Sequence, residues 1–375
     1  MKKIVTALVM MVCAGYIQAQ TLAQPPSGNN QKAKVTQNIG PVEVSIAYSS
    51  PHVHTPQGDD RTGHIWGELV PYGFVDGGGG KSIPWRAGAN ENTVISFSHD
   101  VKVEGKDLRA GTYALFLAPS KDGVWTWILS SNSTSWGSFS YDPKEDVLRV
   151  DATPTDAPFT EYLMYGFDER QPSSAVAYLQ WEKKRVPLKI EVKDVNNLYV
   201  SMMRNQLRST VGFDYRNFSN AAIFCAQNKI NLDEAMTWAN QAIDPTFGGR
   251  EEFGTLRAKS AVLAAKGNDA EADAIMQKAI NLPDATSQII HQYGRSLLNA
   301  GKKEKALEVF QLNAKKNLAT DKFTPNVGLA RGYTAMGDTK SAIKYWEEAI
   351  KNIPENQKPF IKTYQGELDK LKAAK

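Results

Sequence analysis

The run from Trp85 to Glu91 places an indole, a guanidinium, an amide and a carboxylate within seven residues. It precedes a predicted strand at 94–98, and loops that a β scaffold holds in place commonly carry binding and catalytic groups. Flat aromatic side chains beside groups that form paired hydrogen bonds suit a sugar or a peptide ligand. In the alternative interpretation, Arg86 pairs with Glu91 and the run only ties a long loop to the scaffold.

The aromatic residues around this run divide into two groups. Trp125 and Trp127 lie two residues apart in a predicted strand, so they share one face, and we expect both in the core. Trp66 and Tyr72 lie in loop-rich sequence together with Arg61. The predicted ligand or partner surface consists of Arg61, Trp66, Tyr72, Trp85, Arg86, Asn90 and Glu91.

A His-x-His pair provides a second candidate site. His52 and His54 lie on one face of an extended chain, and Asp59 and Asp60 follow closely. Imidazole and carboxylate groups together suit a transition metal, so this interpretation predicts a metal-assisted hydrolase or another enzyme that uses the two histidines. The alternative is a polar surface loop, which the prolines on both sides of the pair favour. We prefer the loop interpretation and predict no cofactor.

Several classes of function lack their usual sequence signals. A phosphate-binding loop ending at Gly80-Lys81-Ser82 would need a glycine where Val75 stands. The motifs Gly-x-Ser-x-Gly and His-Glu-x-x-His do not occur in the sequence. The 44 Lys and Arg residues against 40 Asp and Glu give a net charge of only +4. This small excess argues against nucleic-acid binding, which needs a clustered basic face.

The N-terminus has the pattern of a secretory signal peptide, with two lysines, a short apolar segment and then small residues. We predict a signal peptide at 1–19, cleavage between Ala19 and Ala23, and a flexible lead-in at 20–33. No stretch of the sequence after it is long and apolar enough to span a membrane. The mature protein is therefore expected to be soluble and periplasmic or secreted. Cys225 is then the only cysteine, so no intrachain disulfide can form.

Residues 34–193 have the pattern of β-strands. Apolar residues at 42–48 alternate with polar or small ones, and similar runs recur along this region. Two apolar runs joined by Pro-Ser-Lys-Asp-Gly at 119–123 are typical of a hairpin. About nine short strands separated by turn residues predict an antiparallel β-sandwich-like domain.

Residues 196–375 are rich in Ala, Leu, Lys and Glu at helical spacing, and they repeat. Four alanines near comparable helix starts lie 34 to 37 residues apart: Ala235, Ala272, Ala306 and Ala342. A glycine stands five residues before each of the last three, where one helix turns into the next. This period resembles the tetratricopeptide repeat over about residues 213–357, with a capping helix at 360–372. The resemblance implies a solenoid of stacked helix pairs that docks a protein or a peptide.

Motifs in the β region support a second resemblance. They are Ile65-Trp66-Gly67, Leu69-Val70-Pro71-Tyr72-Gly73, Trp85-Arg86-x-Gly88-Ala89-Asn90-Glu91 and Gly111-Thr112-Tyr113. In this order they resemble the exported bacterial "domain of unknown function 2911" family over about residues 31–193. The resemblance implies an exported β domain, sometimes followed by helical repeats. It implies no catalytic residues, because the family has no established activity.

We therefore expect an exported two-domain protein with a β-sandwich-like domain followed by a tetratricopeptide-like solenoid. The helical repeats would dock a protein partner, and the β domain would present a ligand or partner surface. The preferred function is non-enzymatic binding or scaffolding in the bacterial envelope. The competing class is an enzyme that uses His52 and His54.

Overall fold

The computed structural model describes residues 30–374, which divide into two compact units with the boundary after Val195. The predicted signal peptide at 1–19 and most of the predicted lead-in at 20–33 lie outside the described residues. Between residues 30 and 374, no helix is long and apolar enough to cross a membrane. The first unit is an antiparallel β domain and the second is helical, as the sequence predicts.

Twelve strands form the β domain in the described chain. In order they are β1 (Gln31–Ile39), β2 (Val42–Ser50), β3 (Val75–Asp76), β4 (Ser82–Ile83), β5 (Val94–Phe97), β6 (Val101–Val103), β7 (Lys106–Leu108), β8 (Gly111–Ala118), β9 (Trp125–Ser130), β10 (Asp146–Ala152), β11 (Thr155–Gln171) and β12 (Ser174–Glu191). The first sheet has the order β1-β2-β5-β8-β9-β10, and the second has the order β11-β12-β6-β7. β3 and β4 form a separate short hairpin around the glycine run at 77–80.

The first strand corrects the predicted lead-in, because residues 31–33 belong to β1. This strand pairs with β2 along its whole length, from Gln31 opposite Ser50 to Ile39 opposite Val42. The pairing satisfies the backbone hydrogen bonds of a polar segment whose composition alone is typical of a loop. Because pairing with β2 determines where β1 starts, the strand begins earlier than the local sequence predicts.

The inner faces of the two main sheets meet in an aromatic core. Trp127 of β9 is buried, and its indole N–H donates to the carbonyl oxygen of Pro187 in β12 at 2.8 Å. Tyr165 of β11 contacts Trp127 and Tyr48, with ring centroids 6.5 and 4.8 Å away. Trp125 is also buried, so the predicted core position of both tryptophans is confirmed.

Ten α-helices follow in the described chain. After α1 (Val195–Gln206), consecutive helices pack in four pairs. The pairs are α2 (Tyr215–Asn228) with α3 (Leu232–Ile243), α4 (Phe253–Ala265) with α5 (Asp269–Asn281), α6 (Ser287–Asn299) with α7 (Lys303–Asn317), and α8 (Thr324–Met336) with α9 (Thr339–Lys351). The last helix is α10 (Ile361–Ala373), at the position predicted for a capping helix. This arrangement fits the repeat in the sequence.

The repeated glycines and alanines have different structural roles. Gly267, Gly301 and Gly337 have φ of +85°, +74° and +81°, a left-handed conformation that ends the first helix of a pair. The repeated alanines of the second helices are all buried: Ala235, Ala272, Ala306 and Ala342. Their small side chains let neighbouring helices approach closely. The sequence repeat is therefore a repeat of turns and of close helix contacts.

Phe310 of α7 is fully buried against glycines on α6 and α8. A Cβ on Gly294 would lie 2.3 Å from Cε1 of Phe310, and a Cβ on Gly328 would lie 2.6 Å from its Cδ1. Both distances are shorter than a carbon–carbon contact. Glycine is therefore required where the phenyl ring enters between the two helices.

The Gly294→Ala variant should lower the free energy of unfolding by about 1–3 kcal/mol, because the added methyl group must displace the Phe310 ring. Gly366→Ala in α10 is the matched control, since nothing lies within 4 Å of its added Cβ. The control should gain up to about 1 kcal/mol, because alanine favours a helix more than glycine does. Urea denaturation of the parent and both variants measures the difference. Equal stability of the two variants would contradict this packing.

Candidate functional site

Backbone pairing at two points holds the loop of residues 85–91 against the first sheet. Trp85 and Leu117 of β8 exchange N–H···O hydrogen bonds of 3.1 and 2.9 Å. The N–H of Ala89 donates to the carbonyl oxygen of Ser49 in β2 at 3.0 Å. The loop therefore bridges two strands of one sheet.

The carbonyl oxygen of Ala87 is the buried anchor of this loop. It accepts hydrogen bonds from the Thr93 hydroxyl at 3.1 Å and from the Tyr165 hydroxyl at 2.8 Å. Burial raises the pKa of Tyr165, which keeps this hydroxyl protonated as a donor. Ala87 has φ +49°, a strained conformation that the two hydrogen bonds stabilise. A Cβ on Gly88 would lie 2.6 Å from Oγ1 of Thr93, so that position requires glycine.

A cleft of about 330 Å³ opens beside the anchored loop. Its lining combines positive charge, amide groups and indole rings. The side chains that give it this character are Asn30, Arg61, Trp85, Arg86, Asn90 and Trp181. Four residues of the predicted ligand surface, Arg61, Trp85, Arg86 and Asn90, thus come together in one cleft.

Arg86 is held in the cleft by backbone and aromatic contacts. Its Nη1 donates to the carbonyl oxygen of Asn90 at 2.6 Å, and the guanidinium lies 5.2 Å from the ring centroid of Phe139. A Cβ on Gly137 would lie 2.4 Å from Nη1, so the guanidinium rests directly on that backbone. Burial lowers the pKa of Arg86, and no carboxylate among residues 30–374 forms an ion pair with it. The guanidinium stays charged nonetheless.

Arg61 supplies the second positive charge of the cleft. It is half-buried, and its backbone N–H donates to the carbonyl oxygen of Val53 at 3.2 Å. Its guanidinium forms no hydrogen bond or ion pair with another residue in the described part of the chain. The cleft therefore has two guanidiniums and no neutralising carboxylate in its lining.

Glu91 is directed to the sheet rather than to Arg86, so the predicted Arg86–Glu91 pair does not form. Its Oε1 lies 2.7 Å from Nζ of Lys32, and its Oε2 accepts from the Ser49 hydroxyl at 3.2 Å. The hydrogen bond from Lys32 lowers the pKa of Glu91. Asn90, which precedes Glu91, has φ +57°, a left-handed conformation.

Half-buried Trp85 is the aromatic side chain that the cleft exposes, and fully buried Trp181 lies against it. The rings of Trp85 and Trp181 stack with centroids 6.2 Å apart and an interplanar angle of 18°. Trp66 does not line the cleft. It packs against both indoles, with its ring centroid 5.8 Å from that of Trp85 and 6.0 Å from that of Trp181. Tyr72 also lies outside the lining, and its ring packs against Gly67.

Trp181 and Asn30 are cleft residues that the sequence analysis missed. Trp181 lies in β12, the last strand of the domain, where its burial pattern is that of an ordinary core residue. Asn30 precedes β1, in the segment predicted as a lead-in. Only the pairing of distant strands brings these residues to the loop, and no local pattern indicates that pairing.

His54 lies between two carboxylates in the predicted metal region. Its Nδ1 is 2.7 Å from Oε2 of Glu161, and its Nε2 is 3.3 Å from Oδ1 of Asp60. The side-chain hydrogen bond with Glu161 raises the pKa of His54. This geometry suits a protonated imidazolium, whereas a metal ligand must be a neutral imidazole.

The rest of the predicted metal set does not converge on this histidine. The ring of His52 packs on Tyr162, with centroids 5.1 Å apart. Asp59 accepts a hydrogen bond from the hydroxyl of Thr55 at 2.9 Å. Within residues 30–374, no three His, Cys, Asp or Glu side chains form a group that could hold a metal ion. The described geometry thus gives the enzyme alternative no support.

Comparison with known families gives a match over the β domain. Residues 30–190 match the family model "Protein of unknown function (DUF2911)". The match spans the β domain, as the motif resemblance predicts, and the helical region lies outside it. No curated protein matches the chain significantly. Because the family description names no activity, the function must come from the site itself.

Replacing Arg86 tests whether it has a mainly structural role. Arg86→Gln should cost no more than about 1.5 kcal/mol of unfolding free energy, because its hydrogen bond goes to a backbone carbonyl. A stranded carboxylate would instead cost about 3–5 kcal/mol. Lys32→Gln is the matched comparison, since it removes the true partner of the partly exposed Glu91, and should cost about 1 kcal/mol or less. Urea denaturation measures both, and a loss of 3 kcal/mol for Arg86→Gln would contradict the assignment.

Proposed function

We propose that this protein is an exported, non-enzymatic binding protein. Its β domain binds an anionic sugar in the cleft beside residues 85–91, and its helical domain docks a protein partner. The export proposal rests on the predicted signal peptide at 1–19 and on the motif resemblance of the β region. The observation that carries the ligand proposal is the presence of two guanidiniums without ion pairs in one cleft.

Arg61 and Arg86 favour an anionic ligand because both charges lie in a partly buried site. Neither guanidinium has a carboxylate partner in the described chain, so a bound anion would supply the missing counter-charge. A guanidinium can bind a carboxylate through two parallel hydrogen bonds. The hydrogen bond to Asn90 and the contact with Phe139 position the Arg86 guanidinium without a carboxylate, so its charge has no counter-ion in the described chain.

The indole wall favours a sugar as the bearer of this anionic group. Half-buried Trp85 places an apolar aromatic surface in the cleft that Arg61 and Arg86 also line, and the fully buried Trp181 stacks against it. Flat aromatic rings suit the C–H face of a sugar ring, while polar groups fix its orientation. A sugar with a carboxylate substituent combines both features, so we propose a uronic acid as the ligand class.

A fluorescence titration of the full chain tests this ligand. D-Glucuronate should change the tryptophan emission in a saturable way, because two tryptophans line the cleft. Arg61→Gln and Arg86→Gln should each weaken binding about tenfold or more, since each removes a charge-assisted hydrogen bond. D-Glucose, which lacks the carboxylate, should bind more weakly by a similar factor.

The matched control for both arginine variants is Arg109→Gln. Arg109 is exposed and does not line the cleft, so this variant should bind glucuronate as the parent does. Indistinguishable binding of glucuronate and glucose would overturn the proposal. Unchanged affinity in both cleft variants would also overturn it.

The helical domain favours protein docking because the first helices of its pairs line successive cavities. A cavity of about 400 Å³ lies between α1 and α2 and reaches Arg257 of α4. A second, of about 620 Å³, is lined by α4, α6 and Met276 of α5, and it shares Arg257 with the first. Phe253, Ala264 and Tyr293 contribute to its apolar lining. An extended chain with apolar side chains fits such a surface, in keeping with the tetratricopeptide resemblance.

Cross-linking in envelope extracts tests the docking surface. Ala264→Arg should abolish recovery of the partner, because a long charged side chain then occupies the second cavity. Ala264 is exposed, so the variant should still fold. Ala270→Arg is the control, since Ala270 is exposed on α5 and lines neither cavity. Recovery of the same partner with Ala264→Arg and the parent would refute docking here.

A further inference from the structure

A third cavity in the helical domain differs from the two apolar ones in its chemistry. It measures about 450 Å³ and is lined by α6, α8, α10 and the segment 354–357. Its titratable lining residues, apart from Tyr364, are His291, Arg295, Asp321 and Arg331. The surface lined by the first helices thus changes from apolar at α4 to cationic at α8.

Arg331 brings to this cavity a buried charged donor without a hydrogen-bond partner in the described chain. Its Nε is shielded from solvent and has no hydrogen-bond partner in the described chain. Neither Arg331 nor Arg295 forms an ion pair or a side-chain hydrogen bond with another described residue. Burial lowers the pKa of Arg331, and the charge of Arg295 lowers it further. A buried donor of this kind is costly unless an acceptor reaches it.

The carboxylates near the two arginines already have partners. Glu367 of α10, whose charge partly offsets the lowering of the Arg331 pKa, forms an ion pair with Lys370 at 3.0 Å. Asp321 is the carboxylate of the lining, and it already accepts from the N–H groups of Phe323 and Thr324 at 3.0 and 2.9 Å. Asp321 thereby caps backbone N–H groups at the start of α8. Burial lowers the pKa of His291 to about 4, so its imidazole is uncharged at neutral pH. The cavity therefore keeps a net positive charge.

We propose that this cavity binds an oxyanion, a carboxylate or a phosphate group, between Arg295 and Arg331. The anion would supply the acceptor that Nε of Arg331 lacks, and it would reduce the repulsion between the two guanidiniums. Gln288, Asn356 and Gln357 add neutral polar groups to the same lining. The site is separate from the sugar cleft, and it does not depend on whether a protein docks to the repeats.

Nuclear magnetic resonance of the full chain labelled with ¹⁵N-arginine tests the site directly. The Nε–H signal of Arg331, assigned by its loss in Arg331→Lys, should shift saturably as inorganic phosphate is added at constant ionic strength. Arg295→Gln should weaken this binding about tenfold or more, because it removes one charged donor. Arg295 is exposed, so this variant should fold, and it tests the site without changing Arg331 itself.

Controls separate this site from the other cationic surfaces. Arg257→Gln changes an exposed arginine that lines only the apolar cavities, and Arg61→Gln changes the sugar cleft. Both should bind phosphate at the Arg331 signal as the parent does. Acetate titrated in place of phosphate distinguishes a carboxylate ligand from a phosphate ligand. The anion class that the site binds should give the lower Kd. An Arg331 signal that neither anion moves, or that sodium chloride moves equally, would overturn the proposal.

Discussion

The β domain depends on the buried carbonyl oxygen of Ala87, because this one acceptor ties the loop of residues 85–91 to both sheets. Thr93 precedes β5 in the first sheet and Tyr165 belongs to β11 in the second, and both hydroxyls donate to it. The anchored backbone determines where Arg86 enters the cleft. A guanidinium positioned in this way needs no carboxylate partner from the protein, so its charge remains for a ligand.

The helical domain depends on small residues for the close packing of its helices. Gly294 and Gly328 let the ring of Phe310 fill the space between α6 and α8, and the repeated alanines bring the second helices close to their neighbours. The contacts that hold the domain together therefore lie away from the long polar side chains on the first helices. Arg295 and Arg331 can line a cavity without contributing an ion pair to the fold.

Features with local causes were predictable from the sequence, and features that depend on distant strand pairing were not. Gly267, Gly301 and Gly337 mark the helix turns by their own conformational freedom, so the helix pairs could be predicted. Trp181 reaches the cleft only through the pairing of β12, which no local pattern indicates. The alternative Arg86–Glu91 pair does not form, because Glu91 contacts Lys32, which the pairing of β1 with β2 brings to the loop.

The central claim is that the charge of Arg86 serves a ligand rather than the fold. A crystal structure of the full chain with bound D-glucuronate tests it most directly. The sugar carboxylate should lie within hydrogen-bond distance of both the Arg61 and the Arg86 guanidiniums, with the sugar ring against Trp85. A carboxylate bound elsewhere on the protein, with the cleft empty, would contradict it.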